Sequence, residues 1–163
     1  MSFTEPDTWK WRDGPTEPGQ AIVFDLDGVL SDAAGRQHFL DAPRKDWDAF
    51  FAACGDDMLI DEVARLLDVI DDDIHIVLLT ARPVTVRPQT LAWLDRHDLR
   101  WDLLLMRPVG SYIASRKYKQ AAVEELRDYG FDLRLAFEDD RRNVEMFHAA
   151  GVPCIYIHSG YYE

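Results

Sequence analysis

Residues 21–30, with the sequence AIVFDLDGVL, constrain the fold of this chain more than any other segment. Four apolar residues run into Asp25, and a second acid, Asp27, stands directly before Gly28. A continuous run of this kind is typical of a strand buried on both faces, as in a parallel sheet. Such sheets bind ligands beyond the carboxyl ends of their strands. The segment therefore predicts that both carboxylates lie at a binding edge, and a polar turn without function is the alternative interpretation.

Apolar runs and helical patterns alternate along the rest of the chain. Strands are predicted at about residues 20–25, 74–79, 102–106, 133–137 and 152–157, and helices at about 58–70, 88–94, 117–129 and 143–150. This alternation predicts an α/β fold, with a Rossmann-like parallel sheet of about five strands and flanking helices. The first 19 residues contain three prolines and two glycines, so we expect an irregular N-terminal arm followed by one domain over residues 20–163.

Residues 31–56 interrupt the alternation and predict a small helical cap insertion after the first strand. The segment contains a group of basic side chains and then aromatic residues at helical spacing, namely Arg36, His38, Arg44 and Lys45, followed by Trp47, Phe50 and Phe51. A cap whose cations meet an anionic substrate is one interpretation of this pattern. A solvated basic loop is the other.

The charge balance limits the partners that we expect. Lys and Arg total 18 against 30 Asp and Glu, which gives a net charge of −12 and argues against a broad basic surface for duplex DNA. It does not exclude a local basic site for one phosphate or one strand end. No apolar run approaches the length of about 18 residues that is needed to span a bilayer. The acidic N-terminus has no signal-peptide pattern, and Cys54 and Cys154 have no metal-ligand spacing, so we expect a cytoplasmic protein without a membrane partner.

Polar residues follow four of the predicted elements at the same edge of the sheet. They are Asp25 and Asp27 after the first strand, Thr80 and Arg82 after the second, Arg116, Lys117 and Lys119 near a helix start, and Glu138, Asp139 and Asp140 after the fourth strand. Phosphoryl transfer requires such a set, because a nucleophile must reach phosphorus while cations and a hydroxyl hold the phosphoryl oxygens. The set in this order favours a phosphotransferase over an ordinary sheet edge.

In this order the motifs resemble those of the haloacid-dehalogenase-like (HAD) superfamily, whose members use an aspartate nucleophile. The four motifs are Asp25-Leu-Asp27-Gly-Val, Leu78-Leu-Thr80, the lysine of Arg116-Lys117, and Glu138-Asp139 followed by Asn143. The resemblance covers residues 22–143, and it departs from the family at position 138, where Asp is common. It implies a Rossmann-like fold and phosphatase activity.

A closer resemblance is to the 3′-phosphatase domain of phage-type polynucleotide kinase–phosphatases. It depends on short segments along the chain, which are Gly35-Arg36, Arg82, Arg116-Lys117, Leu135-Ala-Phe-Glu-Asp, Val144-Glu-Met-Phe, Gly151-Val-Pro-Cys and His158-Ser-Gly. No Walker-type Gly-x-x-x-x-Gly-Lys-Ser/Thr motif occurs, so a kinase half is absent from the sequence and phosphate removal is expected.

The resemblance implies roles for the catalytic residues. Asp25 would attack phosphorus and form an aspartyl-phosphate, while Asp27 would protonate the leaving alkoxide and then deprotonate the hydrolytic water. Thr80 and Lys117 would hold the phosphoryl oxygens. Lys119 lies two residues further on and is the alternative lysine for this role.

The resemblance also implies metal and substrate sites. Mg²⁺ would be held by Asp25, the backbone carbonyl of Asp27, and Asp139, with Glu138 close by, and such hard oxygen ligands suit this ion. The substrate phosphates would be bound by three guanidinium groups, those of Arg36, Arg82 and Arg116.

The implied function is a Mg²⁺-dependent phosphomonoesterase that removes 3′-phosphate from polynucleotide ends or nucleoside 3′-phosphates. The matching arginines favour this substrate, whereas the charge of −12 favours a small phosphate ester. A nucleotidase or another small-molecule phosphatase of the same superfamily is therefore the alternative. A catalytically inactive binding module is a more remote one.

Overall fold

The strands of the computed structural model, which describes residues 2–41 and 43–162, form a six-stranded sheet and a separate two-stranded one. In chain order they are β1 Trp9–Trp11, β2 Gln20–Phe24, β3 Ser31–Asp32, β4 Met58–Leu59, β5 His75–Pro83, β6 Leu103–Arg107, β7 Asp132–Glu138 and β8 Cys154–Tyr156. The large sheet has the order β1-β6-β5-β2-β7-β8, in which β1 is antiparallel and the other pairs are parallel. Strands β3 and β4 pair with each other.

The helices lie between the strands, so the predicted α/β fold with a mostly parallel sheet is confirmed. They are α1 Trp47–Ala52, α2 Asp61–Val69, α3 Arg87–Arg96, α4 Ser115–Tyr129 and α5 Arg141–Ala149, with 3-10 turns at Ala34–Phe39, Cys54–Asp56 and Val84–Val86. None of the helices in the described residues is both long and apolar enough to cross a membrane.

Strand β2 lies at the centre of the sheet because both of its faces are apolar. Its side chains alternate between two cores, since Ala21 and Val23 pack towards α4 and α5, whereas Ile22 and Phe24 pack towards α2 and α3. The chain continues to β5 on one side of β2 and to β7 on the other, so the strand order reverses at β2. Ligands of open α/β sheets bind at the carboxyl end of such a position.

The N-terminal arm contains a strand, which corrects the prediction that residues 1–19 are irregular. Trp9 and Trp11 of β1 are buried, and the rings of both lie within 6 Å of the Tyr129 ring. Strand β1 pairs with β6 and becomes the edge strand of the sheet on that side. The alternation of buried, exposed and buried residues spans only three positions, which is too short to stand out between the prolines and glycines of this segment.

Residues 31–59, which we call the cap segment, leave and rejoin the sheet through β3 and β4. These two strands pair antiparallel, and α1 with its flanking 3-10 turns lies between them. Helix α1 begins at Asp46, whose side chain accepts a hydrogen bond from the Ala49 amide. The predicted helix over 58–70 is shorter than expected because its first two residues form β4. The cap segment thereby lies beside the carboxyl end of β2.

Candidate active site

Asp25 occupies the first position beyond the end of β2. Its backbone amide donates to the carbonyl of Phe137, and its Oδ1 accepts a hydrogen bond from the Leu26 amide at 2.9 Å. Gly28, with φ of +85°, then turns the chain sharply. A Cβ at Gly28 would lie 2.1 Å from Oδ2 of Asp139, so glycine is required for the close approach of that acid. As predicted, the acids that follow β2 and those that follow β7 lie together at this edge of the sheet.

Lys119 is the lysine that reaches Asp25. Its Nζ lies 3.0 Å from Asp25 Oδ1 and 2.7 Å from Glu138 Oε2, and only 2% of its side chain is exposed. Burial alone would lower the pKa of Lys119, but the charges of Asp25 and Glu138 outweigh burial and raise it. The lysine is therefore a permanent cation beside the carboxylate that we predicted as the nucleophile.

Lys117 and Arg116 do not reach the site, which corrects the choice of Lys117 over Lys119. Both side chains are exposed on the outer surface of α4, beside α5. Residues two positions apart lie on nearly opposite faces of a helix, so only one of the two lysines can point inwards. Lys119 lies on the buried face of α4 with Ala122 and Val123, and for this reason it is the lysine that points towards Asp25.

Three acids could hold a metal ion at this edge. Oxygen atoms of Asp25, Glu138 and Asp139 lie within 4.8 Å of one another. Both oxygens of Asp139 are buried and accept no hydrogen bond from the described residues, whereas Glu138 bonds to Lys119 and to two backbone amides. A buried carboxylate without donors is costly unless a cation binds it, so this donor set fits a hard divalent ion.

The pKa values of these acids reflect their crowding. Burial raises the pKa of Asp25 well above its ordinary value, and the negative charge of Glu138 raises it further. Burial and the same glutamate raise the pKa of Asp139 to about 7. Burial would also raise the pKa of Glu138, but the charge of Lys119 and the hydrogen bonds that Glu138 accepts together lower it. Lys119 is thus shared between Asp25 and Glu138, whereas Asp139 forms no ion pair with a basic side chain among the described residues.

Arg36 and Arg82 bind Asp27, which corrects their prediction as substrate ligands. The Nη2 atoms of Arg36 and Arg82 lie 2.7 Å and 2.6 Å from Asp27 Oδ1, and the two side chains are 3% and 0% exposed. Burial alone would raise the pKa of Asp27, but the charges of Arg82 and Arg36 lower it to about 2. Asp27 is therefore ionised at neutral pH, and neither guanidinium group is open to an incoming phosphate.

Asp57 completes this network and is a site residue that the sequence analysis missed. It accepts hydrogen bonds from Arg36 Nε at 2.7 Å, from Arg36 Nη2 at 2.5 Å and from Ser31 Oγ at 2.5 Å, and its carboxylate lies 3.5 Å from Arg82. The carbonyl of Asp57 accepts a hydrogen bond from Trp93 Nε1, which ties the cap segment to α3. Nothing local distinguishes Asp57 from its neighbour Asp56. The available signal was a charge imbalance, since two buried arginines require two carboxylates and Asp27 provides one.

The remaining predicted residues also lie at the carboxyl edge. Thr80 is buried near the end of β5, and its Oγ1 accepts a hydrogen bond from the Arg82 amide at 3.1 Å. Asp140 caps α5 by accepting a hydrogen bond from the Arg142 amide. Asn143 is buried, and its Nδ2 lies 3.4 Å from Ser115 Oγ, which links α5 to the start of α4.

Comparisons with solved structures agree with this fold. A chain in the structure of the Pnkp1/Rnl/Hen1 RNA repair complex gives a TM-score of 0.74 at 24% identity, and the match covers 96% of this chain and 48% of that one. This chain thus spans about half the length of that relative. The class C acid phosphatase of Bacillus anthracis gives 0.58 at 15% identity, with 90% and 69% of the two chains covered. The haloacid dehalogenase-like hydrolase SP0104 of Streptococcus pneumoniae gives 0.62 at 16% identity, with 88% and 86% covered.

Comparison with sequences identifies the family. No curated protein gives a significant match to the chain. A family model described as the phosphatase domain of polynucleotide kinase PNKP, however, matches residues 19–162, which is most of the chain. The chain therefore belongs to the PNKP-type phosphatase family of the HAD superfamily.

Proposed function

We propose that this chain is a Mg²⁺-dependent phosphomonoesterase that removes the 3′-phosphate from polynucleotide ends through an aspartyl-phosphate on Asp25. The observation that carries the proposal is the environment of Asp25, which stands directly beyond β2 with Lys119 Nζ at 3.0 Å and with Asp139 within reach of a shared ion. A carboxylate nucleophile, a fixed cation and a hard-metal site are the parts that phosphoryl transfer uses.

The reaction takes two steps. An Asp25 oxygen attacks phosphorus, the bond from phosphorus to the ester oxygen breaks, and the leaving alkoxide takes a proton from Asp27. Water then attacks the aspartyl-phosphate and gives a proton to Asp27, which releases phosphate and restores Asp25. Lys119 and Thr80 hold the phosphoryl oxygens in both steps.

Arg36 and Arg82 keep Asp27 ionised, which is the state that it needs as the base of the second step. With a pKa of about 2 it is ionised before substrate binds, as a base must be. To act as an acid in the first step it must take up a proton together with the substrate. Negative charge that the substrate brings close to Asp27 raises the pKa of this carboxyl and so favours uptake of that proton.

The metal would be held by Asp25 and Asp139, with Glu138 close by and the backbone carbonyl of Asp27 as a further ligand. Bound there, a divalent cation would neutralise the phosphoryl oxygens and lower the pKa of Asp25, so that the nucleophile is ionised. The oxygen-only donor set favours Mg²⁺ over softer ions.

The substrate assignment is supported by family membership, because the matching model describes a polynucleotide kinase PNKP phosphatase domain. A related chain in a complex described as an RNA repair complex supports it further. A nucleotidase or another small-molecule phosphatase is the second candidate, and the net charge of −12 favours it because a polyanion is repelled by an acidic protein.

The test compares substrates and variants in the presence of Mg²⁺. Phosphate release is measured from a 3′-phosphorylated oligonucleotide, a 5′-phosphorylated one, mononucleotides and p-nitrophenyl phosphate. We expect the 3′-phosphorylated oligonucleotide to be preferred, and Asp25→Asn to abolish release from all of them. Asp140→Asn is the matched control, since Asn also caps helices and should leave most of the activity. Wild-type turnover by Asp25→Asn would refute the mechanism, and a preference for 5′-phosphate or mononucleotides would refute the substrate assignment.

A further inference from the structure

A groove lies between α4 and α5. It has a volume of about 680 Å³, and its polar lining comes from the first two turns of both helices, with Arg116, Lys117 and Gln120 on one side and Arg142 and Glu145 on the other. Helix α4 carries Lys119 to Asp25, and α5 starts directly after the acids of β7. The groove therefore leads away from the position where the phosphoryl group would bind.

The groove concentrates positive charge on an acidic protein. Arg116 and Lys117 form no ion pair with any carboxylate in the described residues, and Glu145 is the one acid among the polar residues named above. Arg142 pairs with Asp140 at 3.0 Å, but its side chain is 69% exposed. Since the chain as a whole carries a charge of −12, a polyanion is repelled elsewhere and attracted here.

Exposed aromatic rings belong to the segments next to the groove. Tyr112 is 94% exposed in the loop before α4, and Tyr162 is 56% exposed, with the Arg142 guanidinium 5.7 Å from its ring centre. Cations that follow a phosphate backbone, together with aromatic faces that stack on bases, are the features of surfaces that bind single strands. An acidic peptide would account for the cations but not for the aromatic rings.

We propose that the α4–α5 groove binds the sugar–phosphate backbone of a single nucleic acid strand next to its phosphorylated end, with Arg116 and Lys117 as phosphate contacts. This inference rests on the proposed function and extends it, because it assigns the surface that holds the strand next to the phosphorylated end. From Arg142 to Ala149 helix α5 rises about 10 Å, which corresponds to about three stacked nucleotides at about 3.4 Å each. Affinity should therefore increase up to a length of about four nucleotides and then level off.

The first test compares two double variants with the same change in charge. R116E/K117E reverses both proposed contacts, whereas K10E/R65E reverses an exposed Lys on β1 and an exposed Arg on α2. We expect R116E/K117E to lower the ratio of kcat/KM for a 3′-phosphorylated dodecamer to kcat/KM for p-nitrophenyl phosphate by about tenfold. The control should change this ratio by less than about twofold, because its charges lie against the opposite face of the sheet. Equal effects of the two variants on this ratio would refute strand binding in the α4–α5 groove.

The second test measures binding without catalysis. Fluorescence anisotropy with a labelled single-stranded dodecamer is carried out on the Asp25→Asn protein over a range of salt concentrations. Adding R116E/K117E should reduce the slope of log Kd against log salt by about 1.4, which is about 0.7 for each lost phosphate contact on a single strand. An unchanged slope would refute strand binding in the α4–α5 groove even if the enzyme is active. Failure of the proposed function is seen separately, as absence of phosphate release from every substrate by the wild-type protein.

Discussion

Lys119→Met tests the central feature of the site, which is the buried lysine between two acids. Methionine has a similar length and no charge, so the substitution removes the cation and leaves Asp25 and Glu138 facing each other. The 3.0 Å and 2.7 Å contacts of Lys119 Nζ are both lost in a part of the protein that is almost closed to solvent.

Two magnitudes follow from this geometry. Removing one partner of a buried ion pair costs about 3–5 kcal/mol of the free energy of unfolding, and the lower end is expected because Asp25 can take up a proton. For a chain of this size the loss corresponds to a decrease of roughly 6–12 °C in Tm. Loss of a fixed donor to the phosphoryl oxygens lowers kcat by about 10²–10³.

The assay measures kcat with p-nitrophenyl phosphate and Mg²⁺, together with Tm and the circular dichroism spectrum. Lys117→Met serves as the comparison because that residue is exposed two positions away, and we expect it to lower kcat by less than about threefold. A folded Lys119→Met protein whose kcat is within threefold of wild type would refute the assignment. So would a loss at Lys117 as large as the loss at Lys119.

Two further predictions concern the network around Asp27. Asp57→Asn removes the charge that holds both arginines, so we expect it to lower kcat by about 10–100-fold and to lower Tm, with an unchanged Tm and kcat as the contradicting result. Because the pKa of Asp27 falls from 3.8 to about 2 on folding, its ion pairs contribute about 2 kcal/mol of stability above pH 4, and this contribution is lost as the pH falls towards 2. Asp27→Asn should therefore lower Tm more at pH 6 than at pH 2.5, and an equal loss at both pH values would contradict this.

The central strand and the acids that follow it could be predicted because the signal is local. The run before Asp25 is apolar at every position, and such a run next to turn residues is typical of a strand buried on both faces. The acidic ends of β2 and β7 could be placed together because neighbouring parallel strands share an edge. The short strand β1 could not be predicted, since three residues that pair with a distant strand carry no clear periodicity.

The choice of Lys117 over Lys119 failed because it relied on the Arg116-Lys117 pair in the sequence and not on the face of the helix. The helix was predicted to start at Lys117, whereas it starts at Ser115. The better signal was the spacing of the buried face, because Lys119 stands three and four residues before Ala122 and Val123. A lysine at such a position is buried only when acidic side chains pair with it. The acids that pair with Lys119 follow β2 and end β7, so the sequence of α4 does not reveal them.

The roles of the two arginines depend on contacts that sequence order does not show. The substrate role of Arg36 and Arg82 was expected from the family resemblance and from the match between a guanidinium group and a phosphate. Their partner Asp57 comes from the far end of the cap segment, and only folding of β3 against β4 brings it to them. A guanidinium group next to a phosphate site can serve the substrate or a catalytic acid, and only the count of nearby acids distinguishes the two.

That count also indicates where a cation is needed. Asp27 and Asp57 face Arg36 and Arg82, so this network is neutral, and moving either arginine to a substrate would leave a buried acid unpaired. On the other side of the strand end, the carboxylates of Asp25, Glu138 and Asp139 face one basic side chain among the described residues, that of Lys119, which leaves two negative charges when all three acids are ionised. A divalent ion has the charge that this excess requires, and the excess is located at the carboxylate proposed to attack phosphorus. An ion bound to these three acids would therefore lie where phosphoryl transfer uses it.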